Sequence, residues 1–212
     1  MADTDVMDMI LALTGGDTNY TKELADPCAV IEHDELKHRM IWIGSVDETL
    51  VDTVTKWILR WNMEDSGKEP DDRKPIKLLI YSYGGDLRVT MQLMTIIQMS
   101  KTPVYGYNMG VAYSAGCFIF SACHKRFMIP NSTFLIHQGS SGQQGSYGEV
   151  QAANKQYKAE IDFLKDFMLA HTTFAPGTFT KKWKTEWYID CKDAIDNGLA
   201  DKVIETIDEV VS

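Results

Sequence analysis

At 212 residues, 44% hydrophobic and 24% charged, the chain has the size and balance of one folded soluble domain. Its 21 Lys+Arg against 30 Asp+Glu leave a formal charge of −9. That excludes a general nucleic-acid binder, which needs cations to displace phosphate counterions. No apolar run reaches the roughly 20 residues of a membrane-spanning helix, and Asp3, Asp5 and Asp8 stand where a secretory signal would be basic.

Residues 1–35 read as a polar, acidic lead-in, mobile or partner-dependent. Within it Val6, Met7, Met9, Ile10 and Leu13 share one face of a short helix ended by Gly15 and Gly16. A loose polar stretch follows Pro27. Regular structure is expected to begin with a strand over 39–44 and a helix over 47–63, where Leu50, Val54, Trp57, Ile58 and Trp61 recur at helical spacing. A charged loop over 64–75 leads to Ile76–Tyr81, an apolar run typical of a strand covered on both faces. Beyond Gly84 and Gly85 the pattern predicts a helix over 87–100, in which Met91, Met94 and Met99 read as core filler. Next come a strand at 103–107, an apolar helix over 114–123, and strands near 126–129 and 133–137. A long helix over 148–171 carries a stripe of Val150, Ala153, Tyr157, Ile161, Leu164 and Met168. A short helix near 191–197 and a strand over 202–205 finish the chain. Alternating strands and helices mean α/β with mostly parallel pairing.

Three segments can carry chemistry. In Gly110–Gly116 small residues crowd Ser114 at a strand-to-helix turn, as a nucleophile elbow requires, although Ala112 replaces the first glycine of G-x-S-x-G. A helix starting there directs free N–H groups at an oxyanion; tight packing alone is the plainer reading. In Thr133–Gln138 an apolar strand ends on His137, a base if a serine and an acid lie near it and a structural histidine otherwise. In Tyr81–Asp86 the paired glycines bring bare backbone close to a ligand or simply make a tight turn. The sequence has neither a phosphate-binding glycine motif nor a Cys/His cluster, so no nucleotide, metal or other cofactor is expected. The four cysteines form no C-x-x-C pair and read as reduced thiols of a cytoplasmic protein. Gly139, Gly142, Gly145 and Gly148 recur every third residue. That segment is either an extended strand able to hold a peptide by strand addition or a surface loop.

In their order these segments resemble the ClpP family of self-compartmentalised serine peptidases. The most specific parts are Arg126–Ser132, Leu135–Gln138 and Ala194–Asp201, within a resemblance spanning residues 36–208. It implies a ClpP/crotonase-like spiral of ββα units over 36–212, with a protruding long helix and strand. It also implies that Ser114 is the nucleophile, His137 the base, and the Gly85 and Ala115 N–H groups the oxyanion hole. The acid falls on Glu186, where the family usually has Asp, with Asp190 as the fallback. Tyr81 and Tyr83 replace the Asn and Pro of N-S-P-G-G, and the acid-x-Trp-like variant at Glu186 resembles divergent phage-type relatives. Gly139, Ser140, Ser141 and Gly142 are expected to pair with the substrate backbone. The family's heptameric, stacked rings and AAA+ unfoldase partner are implied likewise, for a peptide or unfolded-protein substrate. Two alternatives remain at this point: a ring scaffold with weak or lost catalysis, and a crotonase-like acyl-CoA enzyme.

Overall fold

The computed structural model describes residues 27–211. The chain divides into two units, Met1–His38 and Arg39–Ser212. In the first, the described part is helix α1 (Pro27–Lys37). The loose stretch expected after Pro27 is thus helical, with proline at the first helical position, where its missing N–H costs nothing. The short helix expected around Val6–Leu13 lies outside the described residues.

The second unit is one seven-stranded sheet with helices. Its elements are β1 (Met40–Ile43), α2 (Glu48–Glu64), β2 (Ile76–Ser82), α3 (Leu87–Met99), β3 (Val104–Tyr113), α4 (Ala115–Ser121), β4 (Lys125–Met128) and β5 (Thr133–Ile136), then α5 (Tyr147–His171), α6 (Pro176–Lys182), β6 (Trp187–Ile189), α7 (Cys191–Asp196), β7 (Lys202–Val203) and α8 (Asp208–Val211). The strands run β1-β2-β3-β4-β7, with β5 on β3 and β6 on β5. Every pairing is parallel except β5 with β6. The expected α/β class with mostly parallel strands is what the chain forms.

β3 positions the site, and it is twice as long as its sequence suggests. Its first half pairs with β4 through Tyr105–Asn108, its second with β5 through Val111–Tyr113. Between them the register against β2 slips, so that Ile80 faces Asn108 but Ser82 faces Ala112. Asn108 is fully buried at this change of partner. Its amide donates to Thr133 O at 3.0 Å and accepts from Gly110 N at 3.0 Å. Gly110 sits in the bulge at φ +137, with Tyr81 packed where a Cβ would go. Gly106 is equally constrained, since a Cβ would lie 2.9 Å from Cys123 Sγ. Glycines that look like strand breakers are therefore in the strand because the sheet bends there and α4 packs close.

The apolar faces of α2, α3 and α4 cover this sheet through Val54, Ile58, Trp61, Leu93, Met94, Ile97, Phe118 and Phe120, all buried. At one edge Asp65, fully buried, accepts from both terminal nitrogens of Arg39 at 2.5 and 3.0 Å. The Arg39 hydrogen bond is the chief cause holding the Asp65 carboxyl well below the usual carboxylate range, against burial, which pushes it up. A depressed acid of this kind stabilises the fold above its unfolded pKa. That contribution is lost as pH falls through the folded value. Cys117 and Cys123 are buried, Cys191 half-buried and Cys28 exposed, and no disulfide joins the four. Among the described residues no helix is long and apolar enough to cross a membrane.

Candidate active site

The carboxyl ends of β2, β3 and β5 converge on Ser114. It caps α4 with φ 51 and ψ −117, a conformation that favours glycine. Two backbone bonds hold it there: Ser114 N donates to Leu135 O at 2.8 Å, and Cys117 N donates to Ser114 O at 3.0 Å. The first ties the elbow to β5 two residues before His137. His137 then follows directly from the strand, and its Nε2 lies 2.8 Å from Ser114 Oγ. The two residues are 23 apart in the chain, and the β3–β5 register brings them together.

The Gly84–Gly85 turn runs past this pair. A Cβ on Gly84 (φ +108) would stand 2.9 Å from Ser114 Cβ and 3.3 Å from Ala115 N. Gly85 forms an isolated parallel bridge with Val46, in which Val46 N donates to Gly84 O at 3.1 Å and Asp86 N to Val46 O at 2.8 Å. Those bonds use the groups flanking Gly85, so the Gly85 N–H points away from Val46. Ala115 opens α4, where a first-turn N–H has no intrahelical acceptor.

Comparison with known proteins fits this geometry. The sequence matches the Clp protease family over residues 28–207. The chain belongs to the Clp protease family. Membership carries the enzyme class, a serine-type endopeptidase, and answers the crotonase-like alternative. Among curated relatives, an ATP-dependent Clp protease proteolytic subunit of Dehalococcoides mccartyi is 27% identical over 173 residues, 80% of this chain and 84% of the relative. ATP-dependent Clp protease proteolytic subunit 1 of Streptomyces avermitilis is 28% identical over 180 residues, 82% of this chain and 79% of its own. A solved ClpP1 variant from Listeria monocytogenes superposes with a TM-score of 0.71 at 22% identity, covering 84% of this chain and 98% of its own, which shows the shared fold.

The surroundings of Glu186 are built differently from those of Ser114. β6 pairs antiparallel with β5 in the register Ile136↔Trp187. Glu186 and His137 are the next residues beyond the end of that ladder, outside the paired positions. The carboxylate rests elsewhere: Tyr188 donates its hydroxyl to Glu186 Oε2 at 3.4 Å. Among the described residues no hydrogen bond joins His137 Nδ1 to Glu186 or Asp190. Asp190 is committed to α7, accepting from Asp193 N at 2.8 Å as its N-cap.

Gly139, Ser140, Ser141 and Gly142 follow His137 as exposed backbone outside any strand. Tyr157 anchors the start of the segment by donating to Gln138 O at 2.9 Å. Among the described residues no strand pairing forms over 139–148.

Sequence reasoning missed an aromatic row beside the nucleophile. Tyr81, Tyr83, Tyr113 and Tyr188 meet edge to face in succession, with centroids 6.0, 5.7 and 5.7 Å apart. Tyr83 and Tyr188 are 69% and 57% exposed, and Tyr113 directly precedes Ser114. The signal was visible only as two departures from N-S-P-G-G, because the row needs the β3–β5–β6 pairing to assemble. Among the described residues no group of His, Cys, Asp or Glu side chains is placed to hold a metal.

Proposed function

We propose that the chain hydrolyses peptide bonds through an acyl-enzyme on Ser114. The observation that carries this is the 2.8 Å approach of Ser114 Oγ to His137 Nε2 at a positive-φ elbow. Ser114 Oγ attacks the scissile carbonyl carbon while His137 Nε2 takes its proton. The carbonyl oxygen, now negative, accepts from the Gly85 and Ala115 N–H groups, each donor contributing about 3–4 kcal/mol in such sites. Collapse breaks the C–N bond, His137 gives its proton to the leaving amine, and water repeats the sequence to release the acid. With Nε2 accepting from serine, Nδ1 carries the proton that Glu186 would accept, fixing the tautomer and supporting the imidazolium. Gly139, Ser140, Ser141 and Gly142 would pair with the substrate backbone, giving affinity with little sequence preference.

The wider assembly follows the family: stacked heptameric rings, a AAA+ unfoldase feeding unfolded polypeptide, and residues 1–35 acting at the gate. A cytoplasmic location fits four cysteines without a disulfide. A fluorophosphonate probe, read together with light scattering, tests the reading. The expected result is labelling of wild-type protein, none of Ser114→Ala, and a ring-sized particle in both. An assembled ring that takes no label would leave the scaffold alternative instead.

A further inference from the structure

The two oxyanion donors come from different parts of the chain, one from the turn after β2 and one from the start of α4. Something must set the gap between them, and a single buried side chain contacts the residue next to each. Ser82 is the last residue of β2 and 1% exposed. Its Oγ accepts from Gly84 N at 3.1 Å, holding that glycine in the positive-φ turn that leads directly into the Gly85 N–H. Its Cβ supports the other donor. A Cβ placed on Gly116 would lie 2.8 Å from Ser82 Cβ and 3.2 Å from Ser82 Oγ, so the backbone next to Ala115 lies directly on this serine. The contact leaves no slack, because β2 and β3 are already locked in register there by Ser82 and Ala112.

We propose that Ser82 is a positioning residue that sets the separation of the Gly85 and Ala115 N–H groups, and so tunes the oxyanion hole rather than substrate binding. The proposal rests on the acyl-enzyme reading above. Ser82 touches neither substrate nor nucleophile; it acts through Gly84 on one side and Gly116 on the other. Alanine keeps the Cβ that Gly116 packs on and removes only the acceptor for Gly84 N. Threonine would push a methyl into the Gly116 contact.

The test compares Ser82→Ala with wild type in the full-length assembled protein. It measures kcat and KM on a fluorogenic peptide, affinity for a peptide boronate, and affinity for the peptide product. A boronate becomes tetrahedral on Ser114 and uses the oxyanion donors, whereas the product peptide does not. A displaced donor forfeits part of the 10²–10³ that one donor is worth, so kcat and boronate affinity should each fall about tenfold or more. KM and product affinity should stay within about twofold of wild type, since ground-state binding is untouched. Equal losses in all four quantities, or wild-type kcat with lowered thermal stability only, would overturn the proposal. Should Ser82→Ala fail to assemble, Ser82→Cys keeps the shape with a poorer acceptor. It must then show a lowered kcat at unchanged KM, and a wild-type kcat there overturns the idea. Probe labelling of wild-type Ser114 separately checks the reading beneath it.

Discussion

The serine side and the carboxylate side of the proposed site are held by different kinds of force. Ser114, Gly84, Gly85 and Ala115 are fixed by backbone: strand register, an isolated bridge to Val46, and contacts too close for any side chain. Glu186 directly precedes the three-residue strand β6 and is steadied by one long hydrogen bond from an exposed tyrosine. Backbone constraints are shared among many atoms and are costly to break. A solvent-facing carboxylate on a flexible stem has few constraints and is easily displaced. The serine–histidine half should therefore fail abruptly when altered and the acid half by degrees.

The sharpest break is Gly85→Ala. Its Cβ would sit 2.1 Å from Val46 O at φ +157, so the bridge must open and the amide turn away. Turnover should drop by at least about a hundredfold, the worth of one oxyanion donor, while circular dichroism reports an intact fold. Near wild-type kcat would mean that the oxyanion is held elsewhere. Glu186→Gln keeps the shape and removes the charge. It should lower kcat by about tenfold to a hundredfold, short of the roughly 10⁴ lost when a buried triad acid is amidated. Unchanged turnover would leave His137 working without a third member. Tyr188→Phe probes the tether itself. The Glu186 charge pushes the Tyr188 phenol up, so the hydroxyl remains a donor, yet an exposed bond of 3.4 Å should cost at most about threefold in kcat. A larger loss would show the acid side to be as rigidly built as the other. Asp190→Ala should leave kcat alone and cost about 1 kcal/mol of stability through the lost α7 cap, measured by urea unfolding.

The same contrast explains what could be read from the letters. Ser114, His137 and the glycine pair were legible because the steric demands on them are local: small residues, a positive φ, a strand end. The strands β2 and β5 and the helices α2, α3 and α5 were legible from period and apolar run. Other features were not. β3 hides its second half behind Gly110, which its sequence presents as a breaker and the bend requires. β6 is three residues long and exists only through pairing with β5. The tyrosine row is assembled from four separate places in the chain. Ser82 escaped notice because a serine at a strand end signals nothing until the turn that it holds has been seen.

Ser114 is held at φ 51, where an L-residue costs about 1–3 kcal/mol and glycine costs far less. A ring subunit kept only for its shape would gain by relaxing that position, and glycine is available to it through a single substitution. The strain is thus a standing expense of keeping a hydroxyl at the elbow. Any account of the chain as an inert scaffold has to say why the less comfortable residue is the one found there.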